Sequence, residues 1–564
     1  MVDRRAFMTA SAATLASGCC LLRRDPIPPC FGEPPYASDG LPLIVDPHAH
    51  FFNGRDLQVK AFFNLVVCRR AGEFERVCQL FGGVFRVLAW LAAPDAKRET
   101  AILRSLNDSG GVCSAEKQPT SDFLGYRAEV YPQARAELQA AAAEVSGPVV
   151  AAMPGISTMS AASLSALSAT PEALGVYLIN NLPETYEEYE GDYKQASVFS
   201  EFESLESFSV TSALDFVLEM FQYRMASVSR YFADYGSGDQ KLDLIATSLV
   251  DYDWPIAKGK STMSTLSEQM ETMREICILS AGRVHPMAPF DPYREVAHQL
   301  GRSESSLEFV QQAVMSGLAI GVKLYPPMGF GPTKNAGRDP SFWVKPWSSD
   351  IVRTPNFGKR LDDAMNALFE WCAANDVPII THSNRSNGPS DDFEDLVAPC
   401  LWKPVVDRFP DLSINFAHLG GVGSGKANDD WEGYISLMKD SGPGSRVFVD
   451  ASYFSDIIAD DPEVATRMLK RLLGSSEQLE RKILYGSDWK MLVQEENAET
   501  YLKTFAEAAE KVEQGGHADF SERFLGGSAA NWLGLSVGRG NRERMLRFYQ
   551  NNNVVPPPWV SKAR

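Results

Sequence analysis

The stretch Leu41-Pro42-Leu43-Ile44-Val45-Asp46-Pro47-His48-Ala49-His50 opens the folded part of the chain. Its apolar run from Leu41 to Asp46, carrying Ile44 and Val45, predicts a buried β-strand. Pro42 is tolerated there because the first position of a strand need not donate to a ladder. The run stops at a His-x-His pair. Seven similar runs follow: Leu242 to Val250, Arg283 to Pro289, Ala319 to Tyr325, Val377 to Thr381, Leu412 to Ala417, Arg446 to Asp450 and Lys482 to Gly486. Helical periods lie between most of them, at Ser264 to Ser280, Ser305 to Ser316, Gly358 to Ala374, Asp391 to Arg408 and Asp461 to Leu473. Strands alternating with helices pair in parallel through crossover helices. Eight such units predict an α/β fold of the closed (β/α)8 TIM-type barrel class rather than an open sheet.

Residues 51–241 are too long for one loop of such a barrel. They hold helical patterns at Leu57 to Ala71, Phe81 to Ala93, Asp95 to Asn107, Ala128 to Val145 and Val210 to Tyr235, and read as a helical insertion after the first strand. The acidic, aromatic run Tyr186 to Tyr193 within it reads as a solvated loop. The barrel is then 41–50 and 242–564.

Ahead of it, Arg4-Arg5-Ala6-Phe7-Met8, an apolar run to Leu15 and the small residues Ala16-Ser17-Gly18 form a twin-arginine export signal over 1–18. Cys19, directly after the small residues, is a candidate for lipidation, so the expected location is periplasmic or exported, with a lipoprotein anchor as one form. Residues 19–40, with five prolines between Pro26 and Pro35, read as a stiff linker. The nine cysteines contain no Cys-x-x-Cys pair, which predicts neither a disulfide framework nor a thiolate metal knuckle.

Lys plus Arg total 54 against 72 Asp plus Glu, a net charge of −18, and no basic run occurs. Nucleic acid is therefore an unsuitable partner, since phosphate binding needs clustered cations. No run of about 18 apolar residues is present to span a membrane. A small-molecule substrate is the remaining expectation.

Only seven histidines occur in 564 residues, and four stand at predicted strand ends: His48 and His50 after the first, His382 after the fifth, His418 after the sixth. The C-terminal ends of barrel strands converge on one mouth, where distant residues meet. Asp488 follows the eighth strand in Tyr485-Gly486-Ser487-Asp488-Trp489 and adds a carboxylate. Imidazoles with a carboxylate make an N/O site suited to zinc or a similar divalent ion. Asp46 reads as a structural acceptor, and Arg385 as a surface residue or a grip for a substrate carboxylate. His285, His298 and His517 are left out of the site.

The stretches Val45 to His50, Gly321-Val322-Lys323-Leu324-Tyr325-Pro326, Thr381-His382-Ser383, Phe416 to Gly421, Leu484 to Trp489, and Phe524 to Gly527 through Asn531 to Leu535 together make the sequence resemble the metal-dependent amidohydrolase superfamily, in its amidohydrolase-2 branch. The resemblance covers residues 41–50 and 242–536. It implies a metal-dependent hydrolase barrel with His48, His50, His382 and Asp488 as metal ligands. Asp488 would also take a proton from a metal-activated water, and His418 would be an acid/base or a ligand to a second metal. Lys323 stands where binuclear members carry a bridging carboxylated lysine; unmodified, it would hold an anionic group or pair with a carboxylate. One divalent ion is implied, or two. The expected activity is hydrolysis of an amide, lactone or ester. Non-oxidative decarboxylation of an unsaturated or aromatic acid is the alternative within the family, and a non-catalytic exported receptor the alternative outside it.

Overall fold

A computed structural model of the chain describes residues 42–70, 86, 93–108, 132, 136, 219–236, 241–421, 430–454, 461–495 and 497–563. The export signal, the linker, most of the predicted helices Phe81 to Ala93 and Ala128 to Val145, and the acidic run Tyr186 to Tyr193 lie outside the described residues. The chain divides into two compact units. Of the described residues, one contains 52–70, 86, 93–95, 132, 136 and 219–223; the other contains 42–51, 96–108 and those within 224–563.

The second unit is built on eight parallel strands in the order β1 to β8. They are β1 Val45–Ala49, β2 Leu244–Ser248, β3 Val284–Pro289, β4 Val322–Leu324, β5 Ile379–His382, β6 Ile414–Ala417, β7 Val447–Asp450 and β8 Ile483–Leu484. Every strand residue is buried, as expected of a sheet covered on both faces. The predicted barrel is what forms, nearly closed. β8 is only two residues long and pairs with β7. The gap to β1 is bridged by the Asp488 N–H donating to the His48 carbonyl at 2.6 Å, and by Asp46, which accepts from Ser487 N at 3.2 Å and Ser487 Oγ at 2.5 Å.

The first strand differs from its prediction. The sequence pattern ends it at Asp46, yet pairing continues to Ala49, so His48 lies within the strand. Its register to β2 shifts between Asp46 and Ala49, around Pro47, whose missing N–H suits a bulge better than a regular ladder. The predicted helix Asp391 to Arg408 is broken into Asp391–Glu394, a short turn Asp395–Val397 and Pro399–Arg408, because Pro399 disfavours helical geometry in the residue before it. Three other crossover helices begin at side-chain caps. Thr265 and Glu268 form a reciprocal pair ahead of Leu266–Leu279, Ser305 caps Ser306–Met315, and Asp461 with Pro462 starts Pro462–Ser475.

Two helices from the long stretch between β1 and β2 cluster with the barrel. Ala96–Asp108 lies on Leu266–Leu279, with Thr100 Oγ1 2.9 Å from Thr272 Oγ1 and Arg104 donating to Glu275 at 3.0 Å. Arg224–Tyr235 is joined to it by a fully buried ion pair, Arg224 to Glu99 at 2.7 Å, and reaches β1 through the Tyr231 hydroxyl, which donates to Asp46 at 2.6 Å. At the chain's other end, Gly526 backs onto the segment leading into β1 so closely that a Cβ there would stand 2.0 Å from the Leu43 carbonyl oxygen. Only glycine fits that approach. The expectation for cysteines holds for Cys277, Cys372 and Cys400, which are free thiols. Cys68, in the first unit, is instead disulfide-bonded, its partner lying outside the described residues. Among the described residues no helix is long and apolar enough to cross a membrane.

His285 sits near the start of β3, at the end of the barrel opposite the strands' C-termini. Its Nδ1 is 2.7 Å from the Leu318 carbonyl and its Nε2 2.8 Å from the Tyr549 hydroxyl. Burial lowers its pKa from 6.5 to about 4. Below 6.5 the unfolded chain takes up a proton that the native ring refuses, so this histidine's contribution is present above 6.5 and is lost as pH falls toward 4. The stability difference between wild type and His285→Gln should therefore shrink from pH 7 to pH 4.5 in denaturant titrations; a constant difference would rule out a neutral buried ring.

Candidate metal centre

The mouth collects groups from several strands and the residues just after them. β1 contributes His48, and His50 just beyond it. Lys323 comes from β4, His382 ends β5, His418 follows β6, and Asp488 lies four residues after Leu484 of β8. Two of these backbones are in the left-handed region: His418 with φ 65° and Asp488 with φ 56°. Neither is glycine, and non-glycine residues held there cluster at functional sites because the surrounding structure must over-determine them. Asp488 is fixed by the N–H bond to His48 O already described, and His418 by its N–H donating to Asp450 at 2.9 Å.

His48, His50 and Asp488 form one compact group, all buried. Asp488 Oδ1 is 3.1 Å from His50 Nε2 and 3.6 Å from His48 Nε2. His50 Nδ1 lies 2.8 Å from the Ser248 carbonyl, an obligate acceptor, so Nδ1 carries a proton. The Nε2 that faces Asp488 is then a lone pair opposite a carboxylate oxygen, unless something positive lies between them. A proton or a metal cation meets that need, and this donor set fits a divalent ion. Burial would raise the Asp488 pKa, but its interactions with the adjoining His48 and His50 rings outweigh this and hold the group down at about 2.

Lys323 Nζ is 3.1 Å from His48 Nε2. Burial brings its pKa down to about 8. His48 itself is lowered to about 3, chiefly by burial and then by the Lys323 charge.

His382 stands slightly apart. Its ring stacks on Tyr325 at 4.5 Å, its centroid is 4.9 Å from that of His418, and its Nε2 is 3.2 Å from Ser386 Oγ. The second compact group is His48, His418 and Asp450. Asp450 and its neighbour Ser452 were not singled out in the sequence. The available signal was an acid closing the otherwise apolar Val447-Phe448-Val449, the same pattern as Asp46 after Val45.

Asp46 is a structural acceptor, taking bonds from His48 N, Ser487 and Tyr231, and burial raises its pKa to about 6. Arg385 is committed to Asp430 at 2.7 Å and Asp395 at 2.6 Å, which leaves its guanidinium neutralised rather than poised for a substrate.

Comparison with known proteins agrees with the family resemblance. Residues 311–535 match the family described as Amidohydrolase. No curated protein matches the chain. Among solved structures, the chain is similar to an uncharacterized TIM-barrel protein from Bordetella bronchiseptica, at 13% identity over 59% of this chain and 85% of that one, with a TM-score of 0.31. It is also similar to a probable 2-pyrone-4,6-dicarboxylic acid hydrolase from Acinetobacter baumannii, with citric acid bound, at 13% identity over 55% and 88% with a TM-score of 0.31. A third is 5-carboxyvanillate decarboxylase from Novosphingobium aromaticivorans, with bound manganese, at 15% identity over 60% and 88% with a TM-score of 0.32.

Proposed function

Because residues 311–535 match the family described as Amidohydrolase, we propose that the barrel mouth is the active site of a metal-dependent hydrolase that opens an amide, lactone or ester bond of a small molecule. The observation that carries this reading is the convergence of an ionised, buried carboxylate, Asp488, on the Nε2 atoms of both histidines of the His-x-His pair. His48, His50, His382 and Asp488 would hold a divalent ion, with zinc favoured by the N/O donor set. Such an ion supplies Lewis-acid polarisation of the scissile carbonyl and a lowered pKa for water.

The chain's own groups do the rest. Asp488, ionised and fixed by its backbone bond to β1, accepts the proton of the attacking water. His418, anchored through Nδ1 to the Ser452 carbonyl at 3.0 Å, offers its Nε2 lone pair to the proton that Asp488 has accepted and passes that proton on to the departing oxygen or nitrogen. Tyr325 stacks on His382 and holds that ring's plane. Lys323, in its carboxylated form, would bridge a second ion.

One observation favours the decarboxylase reading instead. An unmodified Lys323 is a buried ammonium next to His48, placed to hold a substrate carboxylate. Turnover of a panel of lactones, amides, esters and aromatic acids in heavy-oxygen water separates the two. Label in the product acid supports hydrolysis. Carbon dioxide released without label incorporation overturns it in favour of decarboxylation.

We also propose that the chain works outside the cytoplasm, on the strength of the Arg4-Arg5 signal and the disulfide at Cys68, since disulfides persist in oxidising compartments. Changing both arginines to lysine should strand the precursor in the cytoplasm. Unaltered export of that variant would refute the twin-arginine route.

A further inference from the structure

Behind the imidazoles, at the end of β7, lie Asp450 and Ser452, both fully buried and neither used as a ligand above. Asp450 is crowded with donors. Its Oδ1 accepts from the His418 N–H at 2.9 Å, from the Ser452 N–H at 3.1 Å and from the Ser452 hydroxyl. Its Oδ2 accepts from Asn415 Nδ2 at 2.8 Å and is 3.4 Å from His48 Nδ1. An ionised carboxylate only accepts, so the proton shared with Ser452 is the serine's own. Having given that proton to Asp450, Ser452 Oγ has only lone pairs left. They face His48 Nδ1 at 2.9 Å and His418 Nδ1 at 3.0 Å. Both ring nitrogens must then be donors. Two independent contacts agree: His418 Nδ1 also meets the Ser452 carbonyl at 3.0 Å, and on the far side of His48 its Nε2 faces the Lys323 ammonium, a donor, at 3.1 Å.

We propose that Asp450 and Ser452 are positioning residues that lock His48 and His418 together in the Nδ1–H tautomer, so that both rings present an Nε2 lone pair to the barrel mouth. One hydroxyl serves two rings from different strands, which couples their orientations. Asp450, although within reach of a metal triad, has its oxygens filled and acts through the histidines. Partners of this kind fix the tautomer and basicity of a metal-binding imidazole. The inference rests on the proposed function only in giving those lone pairs an ion to hold.

The test uses the full chain, stripped of metal and labelled with 15N-histidine, and reads ring protonation from two-bond 15N–1H correlations. His48→Gln and His418→Gln serve for assignment. In wild type, both His48 and His418 should carry the proton on Nδ1. Asp450→Asn places an amide donor where the acceptor stood, and should shift the His48 proton to Nε2 and weaken zinc affinity about 10–100-fold in chelator competition. Ser452→Ala should leave His48 with a mixed tautomer and reduced affinity, because only the long approach to Asp450 remains, while Ser452→Thr restores the hydroxyl and the wild-type pattern. Wild-type His48 protonated on Nε2 would overturn the proposal, as would tautomers and affinity unchanged in both Asp450→Asn and Ser452→Ala. If Asp450→Asn does not fold, the alanine and threonine pair decides alone. A wild-type chain that binds no divalent ion would defeat the proposed function, while the spectra would still judge the tautomer lock.

Discussion

Replacing Asp488 with asparagine is expected to reduce turnover by about 10²–10⁴-fold, the contribution of a positioned general base. The substitution isolates the chemistry. Asparagine matches the carboxylate in size, and it tolerates the left-handed backbone, φ 56°, that this residue adopts, so the turn after β8 and its bond to His48 should persist. The amide oxygen still faces His50. What disappears is a proton acceptor whose pKa, about 2, keeps it ionised at any working pH. Steady-state kinetics with the substrate found in the panel, set beside metal content, give the answer. Turnover within threefold of wild type would remove Asp488 from the role of base, and loss of metal with loss of turnover would make it chiefly a ligand.

Replacing His48 with alanine should abolish metal binding, taking elemental content from about one ion per chain to near zero. His48 is the one side chain shared by both compact groups at the mouth, and it touches Lys323, Ser452 and Asp488 at once. Its removal strips a donor and also frees the Lys323 ammonium to approach Asp488, where it would compete with a cation. Arg385→Ala is the matched control, since that guanidinium is tied to Asp430 and Asp395 and should leave metal content unchanged. Equal metal in wild type and His48→Ala would take His48 out of the centre. A ratio near two per chain that falls in Lys323→Ala would instead favour the bridging lysine.

The barrel was legible because its signal is repetitive: eight apolar runs of strand length, with helical periods between most of them, have few other solutions. The candidate site stood out for a related reason, since a scarce residue type recurring at strand ends is improbable by chance in a chain with seven histidines. Other features left weaker traces. That β1 runs through His48 depends on pairing with Thr247, a contact between distant residues that no local pattern encodes. The break at Pro399 was written locally but masked by a continuing helical period. Asp450 and Ser452 were hidden because an acid at a strand end looks the same whether it binds an ion, closes a seam as Asp46 does, or steers a neighbouring ring. The grouping of 96–108 and 224–235 with the barrel follows from pairs such as Glu99 with Arg224 and Tyr231 with Asp46, separated by more than a hundred residues.

The narrow join between β8 and β1 makes the barrel a hoop with a clasp. Around most of its circumference consecutive strands share a ladder, but at this join the hoop is fastened by one backbone hydrogen bond, by Asp46, and by whatever draws His50 on one lip toward Asp488 on the other. A cation seated there is a rivet, and mechanical closure of the hoop becomes thermodynamically linked to its occupancy. With the ion bound only to the closed form, each tenfold rise in free ion above its dissociation constant adds about 1.4 kcal/mol to unfolding. The melting temperature should climb with zinc concentration and drop under chelator; a melting temperature that ignores both would mean that the clasp holds without its rivet.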